Sequence, residues 1–132
     1  MIVRDAIESD SEQINLLYAD FCKEFSLPCD NWPEIGKGKM VVCEDDGLIG
    51  YGNAFSQDYG GKEYTYGNHI YVKPEFRLKG IGAKIYRELR KWANKEGRPI
   101  IVSAAKNEHA MWYSKGYRTL RFVMVKEIGC MK

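Results

Sequence analysis

The sequence has little of what marks several common protein classes. Two histidines and four cysteines are scattered over 132 residues without a Cys-x-x-Cys pair, so we expect no metal site. Scattered cysteines of this kind are typical of a reduced, cytoplasmic chain. No apolar run approaches the roughly 20 residues of a membrane span, and the N-terminus does not resemble a signal peptide. We therefore expect no membrane partner.

The sequence also has no large excess of positive over negative charge, or of negative over positive. Twenty Lys and Arg residues oppose 18 Asp and Glu residues, which leaves a formal net charge of +2 and no polybasic run. Nucleic acid is therefore not an expected partner. The chain is instead 45% hydrophobic and 13% aromatic. A chain of this length and composition is expected to bury a core as one domain over residues 1–132.

Hydrophobic periodicity predicts a mixed α/β domain. Apolar residues at helical spacing predict helices at 10–25, 80–96 and 107–115. Alternating or β-branched segments predict strands at 1–4, 39–44, 48–57, 63–72, 100–105 and 117–128. Ser9 and Glu12 form a capping-box pattern at the start of the first helix. This order predicts a single mixed sheet of about six strands with helices packed against it.

A glycine-containing turn joins the predicted strand 63–72 to the predicted helix 80–96. Residues 70–83 read IYVKPEFRLKGIGA. The first N–H groups of a helix have no intrahelical partner and lie at the positive end of the dipole. Gly80 and Gly82 let an anion approach this backbone, and Arg77 adds positive charge. The pattern indicates phosphate or pyrophosphate binding, although two glycines near a helix start are also typical of a plain tight turn.

The turn matches neither the P-loop nor the dinucleotide fingerprint. Its pattern Arg-x-x-Gly-x-Gly, with Val-x-Pro just before it, closely resembles the acetyl-coenzyme A signature of the GNAT N-acetyltransferase superfamily. In that family the turn's amides hold the pyrophosphate of coenzyme A, and the preceding strand pairs with the pantetheine arm. The resemblance therefore implies a set of cofactor-binding residues. They are Ile70, Tyr71, Val72, Arg77, Leu78, Lys79, Gly80, Ile81 and Gly82.

The resemblance extends to the order of the elements over nearly the whole chain. It implies a GNAT fold with helices on both faces of the sheet. It also implies a cofactor cleft between the strand before the glycine turn and the strand after the main helix.

A second segment resembles the family's other signature. Residues 107–117 read NEHAMWYSKGY, similar to Asn-x-x-Ala-x-x-x-Tyr-x-x-x-Gly-Phe/Tyr but with one residue fewer between Ala110 and Tyr113. The resemblance implies that Tyr113 donates a proton to the departing thiolate, because a phenol stays protonated at neutral pH. Asn107 would hold the cofactor arm or cap the helix. Helix geometry alone favours a packing role for Tyr113, whereas the flanking motif favours the role of proton donor.

The general base is less determined. Some members of the family carry a glutamate on the strand before the glycine turn, where this chain has Tyr66. Strand alternation predicts that Asn68 lies on the same face as Tyr66 and His69 on the other. The remaining base candidates are His69, Glu63 and Asp58, although a lone histidine on a strand is more often structural.

The resemblance implies an enzyme that moves an acetyl group from acetyl-coenzyme A to a primary amine by direct attack in a ternary complex. No cysteine falls in either motif, which disfavours a covalent relay. The acceptor stays open among small molecules, peptides and protein amines, and a homodimer through an edge strand is compatible with the fold. The alternative is a non-catalytic acetyl-coenzyme A-binding module, which the missing strand carboxylate favours.

Overall fold

The structure is a computed structural model that describes residues 1–30, 33–103, 109–120, 124 and 126, with only the main chain of Asn68 and His109. Its elements follow the order β1 (Ile2–Asp5), α1 (Ser11–Glu24), β2 (Lys39–Glu44), β3 (Leu48–Tyr59), β4 (Lys62–Val72), α2 (Ile81–Lys95), β5 (Ile100–Val102) and α3 (His109–Ser114). Short 3-10 turns occupy Glu8–Asp10 and Pro74–Phe76. The strands form one sheet in the order β1-β2-β3-β4-β5, in which β4 and β5 are parallel and the other neighbours antiparallel.

The two long helices cover opposite faces of this sheet. Alternation along β2 shows it directly, since Val42 packs in the core cluster with α1 and Val41 in the cluster with α2. The apolar stripe predicted for α2 is confirmed, because Ile85 and Leu89 are completely buried. Gly52 of β3 permits this close packing. A Cβ atom there would lie 2.5 Å from Cγ2 of Ile85.

The predicted elements up to α3 are confirmed, with most boundaries within one or two residues of the prediction. The predicted cap at Ser9 is wrong, because Ser9 lies inside the 3-10 turn that precedes α1. The carboxylate that binds the main chain here belongs to Asp10, which accepts a hydrogen bond from Ile7 N at 2.8 Å. Asp10 also pairs with Arg4 of β1, also at 2.8 Å. The ion pair with Arg4 on β1 therefore determines that Asp10, rather than Ser9, binds the main chain at the start of α1.

A β-bulge in β4 changes which side chains share a face. Asn53 is opposite His69, whereas the next residue of β3, Ala54, is opposite Gly67. One residue of β4 is therefore left unpaired, and the alternation of its side chains shifts by one. As a result Tyr66 and His69 lie on the same face of the sheet. The prediction that they lie on opposite faces is wrong, because it assumed an uninterrupted strand.

The parallel neighbour of β4 ends early and leaves a cleft. β5 pairs with β4 only from Thr65 to Gly67, whereas β4 continues to Val72. Within the described residues, the last part of β4 therefore has a strand on one side only. Half of the predicted last strand, 117–128, lies outside the described residues, and its described start, 117–120, has no regular secondary structure.

Two searches of the described residues were negative. No helix in that part of the chain is long and apolar enough to cross a membrane. Among the same residues, no group of three or more His, Cys, Asp or Glu side chains is placed to hold a metal ion.

Candidate active site

A cavity of about 340 Å³ lies where β4 ends and α2 begins. Its wall contains the predicted cofactor residues except Lys79, and except Asn107, which lies outside the described residues. The lining residues are Phe25, Ile70, Tyr71, Val72, Phe76, Arg77, Leu78, Gly80, Ile81 and Gly82. Sequence analysis missed the two phenylalanines. Phe76 lies inside the first motif, so the sequence pattern could have indicated it. Phe25 reaches the cavity only because α1 packs against the sheet in this position.

The glycine turn presents main-chain N–H groups to this cavity. Gly80 is the N-cap of α2 and has a φ of +78°, in the left-handed region that favours glycine. The first helical hydrogen bond runs from Lys84 N to Gly80 O at 3.1 Å, so the N–H groups of residues 81–83 have no helical carbonyl to bind. Apart from its chain neighbours, no described residue has an atom within 4 Å of the place that a Cβ atom on Gly80 would occupy. The turn is therefore open on the side from which an anion would approach.

Leu78 has an unusual conformation in the same turn. Its φ is +64°, which is costly for a bulky side chain. Its side chain is fully exposed to solvent. Residues 78 and 80 both have left-handed backbone conformations. Such conformations turn successive N–H groups toward one side of the chain, as in anion-binding nests.

The positive side chains of the motif do not point freely into the cavity. Arg77 donates two hydrogen bonds to the carboxylate of Glu24, at 2.9 and 2.6 Å. Its Nε donates to the main-chain oxygen of Val72 at 2.8 Å. Lys79 lies over the ring of Phe76, with Nζ 5.6 Å from the centroid. The amides of the turn are therefore better placed than Arg77 to bind an anion.

The pKa values of this ion pair reflect its geometry. The hydrogen bonds from Arg77 hold the pKa of Glu24 below its usual value of 4.5. Conversely, the hydrogen bonds to Glu24 raise the pKa of Arg77 above its ordinary value. Both groups are therefore charged at neutral pH, and their formal charges cancel beside the cavity.

The three base candidates lie in different places. Asp58 and Glu63 are opposite each other at the far end of the β3–β4 hairpin. Glu63 precedes Ile70 by seven residues, or about 23 Å of strand. His69 instead directly precedes the cavity segment of β4, on the face covered by α1. Its ring centroid lies 4.9 Å from that of Phe21 and 5.6 Å from that of Tyr18.

Tyr66 lies further back along β4, where the family's glutamate was expected. Its hydroxyl is within 2.7 Å of Ser103 Oγ, so this side chain links β4 to the residue that follows β5. The contact lies where the two strands separate. Tyr66 therefore marks the closed end of the cleft.

Partial burial lowers the pKa of His69 below its ordinary value of 6.5. The unfolded chain then binds more protons than the folded chain between the folded pKa and 6.5. We therefore expect the free energy of unfolding to fall as the pH is lowered below about 6.5, by at most about 1.4 kcal/mol per pH unit from this group. His69→Phe retains an aromatic ring between Tyr18 and Phe21, and its free energy of unfolding should lack this dependence on pH.

Urea unfolding of both proteins between about pH 7.5 and 5.5 measures the effect. Paired carboxylates such as Glu24, whose pKa is lowered, lose their stabilisation only at lower pH and do not interfere. If the free energy of unfolding changes with pH to the same extent in the wild type and in His69→Phe, then His69 is not desolvated in the folded state.

Tyr113 lies on α3, and its side chain is 51% exposed. Its hydroxyl is hydrogen-bonded to the hydroxyl of Thr119. A phenol oxygen can accept from Thr119 and still donate its own O–H elsewhere. Tyr113 is not among the residues that line the cavity at the glycine turn. Its predicted role as proton donor stays a prediction.

Comparison with known proteins identifies relatives of this fold. A family model described as an acetyltransferase (GNAT) domain matches residues 36–119. An acetyltransferase from Trypanosoma brucei has a TM-score of 0.72 at 17% identity, covering 96% of this chain and 99% of that one. Glucosamine-6-phosphate N-acetyltransferase from Arabidopsis thaliana has a TM-score of 0.73 at 14% identity, with coverages of 96% and 97%.

A third similar structure contains the predicted ligand. The aminoglycoside N-acetyltransferase AAC(6')-Iy, solved in complex with CoA, has a TM-score of 0.71 at 15% identity, covering 98% of this chain and 100% of that one. No curated protein sequence matches the chain. At these identities the structural likeness shows the fold, and the family model, which spans more than half of the chain, shows the family. The predicted fold class is confirmed, and the chain belongs to the GNAT acetyltransferase family.

Proposed function

We propose that this protein transfers an acetyl group from acetyl-coenzyme A to a primary amine. The observation that carries the proposal is the open turn at Gly80, where N–H groups without helical partners border a cavity. The cavity continues along the end of β4, which has a strand on one side only within the part of the chain that the structure describes. The turn would hold the pyrophosphate of the cosubstrate. The main chain of Ile70 to Val72 would hydrogen-bond the pantetheine arm, because β5 has already ended there and no other described strand takes its place.

In the transfer, the amine nitrogen attacks the thioester carbonyl carbon and the carbon–sulfur bond breaks. The sulfur leaves with the bonding electron pair and takes a proton, and the nitrogen loses one. Tyr113 is the proposed donor to sulfur. His69 is the proposed acceptor, because its lowered pKa keeps the imidazole neutral at pH 7. Glu63 is disfavoured by its distance along β4.

The test is an assay of thiol release. The protein is mixed with acetyl-coenzyme A and a panel of amines, and free thiol is followed against a control without amine. Aminoglycosides and amino sugar phosphates lead the panel because two similar structures are named for them, followed by polyamines and lysine-containing peptides. We expect amine-dependent release from at least one class. The same assay with His69→Phe tests the base, for which we expect slower turnover at unchanged cosubstrate affinity.

Two other outcomes have distinct meanings. Tight binding of coenzyme A without thiol release for any amine would favour the non-catalytic module, for which Tyr66 in place of the family's glutamate is the supporting observation. Absence of coenzyme A binding would contradict both functions.

A further inference from the structure

The ion pair between Glu24 and Arg77 joins two parts of the chain that are 53 residues apart. Glu24 is the last residue of α1, and Arg77 follows the 3-10 turn after β4. Each oxygen of the carboxylate accepts from a different guanidinium nitrogen. This two-point geometry fixes orientation as well as distance, which a single contact would not do.

Arg77 is held on two further sides. Its Nε donates to the carbonyl oxygen of Val72, the last residue of β4, at 2.8 Å. Its guanidinium carbon lies 5.4 Å from the centroid of the Tyr71 ring, within cation–π range. One side chain thus connects the end of α1, the end of β4 and the start of the glycine turn. Its Nε and both terminal nitrogens each donate to a protein atom.

The same contacts argue against a role for Arg77 as a phosphate ligand. An anion in the cavity would interact with the carboxylate of Glu24 as well as with the guanidinium, so the net attraction is small. Phe25 directly follows Glu24 and lines the same cavity. The ion pair therefore holds in place both the turn that bears the open N–H groups and one aromatic wall of the cavity.

We propose that Arg77 is a positioning residue, which, with Glu24 as its partner, fastens the first helix to the glycine turn and so sets the shape of the cosubstrate cavity. The inference rests on the proposed function, because it assumes that coenzyme A binds in this cavity. It assigns to the first helix a part in cosubstrate affinity. It also assigns the binding of pyrophosphate to the main chain rather than to the motif's arginine.

The two roles of Arg77 predict opposite effects of Glu24→Gln. If Arg77 positions the turn, the variant loosens it and weakens coenzyme A binding, by about three- to tenfold on the usual scale of pairwise coupling. If Arg77 binds phosphate, loss of the competing carboxylate releases its charge and binding tightens. Titration calorimetry with coenzyme A measures the sign directly. Glu88→Gln, which removes an exposed ion pair with Lys91 on α2, is the matched control and should leave the Kd unchanged.

A charge reversal gives a second readout. Arg77→Glu alone should weaken binding, and adding Glu24→Arg should recover part of the loss because the ion pair is restored with opposite polarity. Recovery is partial, since the introduced carboxylate cannot donate a hydrogen bond to the Val72 oxygen. An arginine introduced at position 24 would itself attract an anion, so recovery supports the positioning role only together with weaker binding by Glu24→Gln. Melting curves of all variants exclude global unfolding as the cause of a changed Kd.

The possible results distinguish a failure of the positioning role of Arg77 from a failure of the proposed acetyltransferase function. If the wild-type protein does not bind coenzyme A, the proposed function fails. If it binds and Glu24→Gln binds equally well or more tightly, the positioning role is overturned while the function stands. Weaker binding by Glu24→Gln with partial recovery in the reversed pair supports the inference.

Discussion

Replacement of Gly80 by valine is expected to weaken the binding of coenzyme A by at least about 100-fold. Gly80 has a φ of +78°, and a β-branched residue there carries a strain of about 1–3 kcal/mol. The new side chain would also fill the open side of the turn, where no atom of the other described residues lies within 4 Å of a Cβ atom. Losing two charge-assisted hydrogen bonds at about 1.5 kcal/mol each corresponds to about 100-fold in Kd. Titration calorimetry measures the change.

Gly97 provides a matched control for this experiment. It follows the other end of α2, has a φ of +70°, and a Cβ atom there would likewise meet nothing within 4 Å. Gly97→Val therefore introduces the same kind of backbone strain without touching the cavity. We expect it to lower the melting temperature but to retain the wild-type Kd. Unaltered binding by Gly80→Val would show that the pyrophosphate is not held at this turn.

Replacement of Tyr113 by phenylalanine is expected to lower kcat by about 100-fold, the usual cost of removing one proton donor from a transition state. Phenylalanine keeps the ring and loses only the hydroxyl. The Kd for coenzyme A should stay near the wild-type value, because the donated proton matters only as the sulfur leaves. Thiol release under saturating substrates and calorimetry with coenzyme A measure the two quantities.

Tyr117 is the control for Tyr113 on the same segment. Its ring packs against Trp112 at 4.8 Å between centroids, and burial raises the pKa of its hydroxyl. Tyr117→Phe removes a hydroxyl from the same neighbourhood and should leave kcat within about threefold of wild type. Equal losses in both variants would indicate that the segment matters for packing. An unchanged rate in Tyr113→Phe would remove this residue from the mechanism.

Local sequence patterns were sufficient for the secondary structure and for the turn. The strands and helices were predicted because period-2 and period-3.6 patterns record which side of an element is buried. The glycine turn was predicted because a positive φ at a helix start leaves a trace in the residue type itself. The site residues on β4 and α2 are neighbours in sequence, so a single motif predicted most of the residues that line the cavity.

The bulge in β4 shows where such patterns fail. A single unpaired residue shifts the alternation of a strand but leaves no compositional mark, so Tyr66 and His69 were predicted on opposite faces. The helix start shows the same limit, since Ser9 matched a capping pattern while Asp10 made the contact. A tertiary partner, Arg4 on β1, decided between two adjacent polar residues.

By itself the sequence determined the order of the elements, the position of the glycine turn and, through two motifs, the family. Only the tertiary structure decided that Arg77 binds Glu24, that Phe25 reaches the cavity, and that β5 ends before the last part of β4. Each of these depends on how distant segments dock. Docking is set by the packing of the whole core, whereas a sequence pattern reports only the side of an element that faces it.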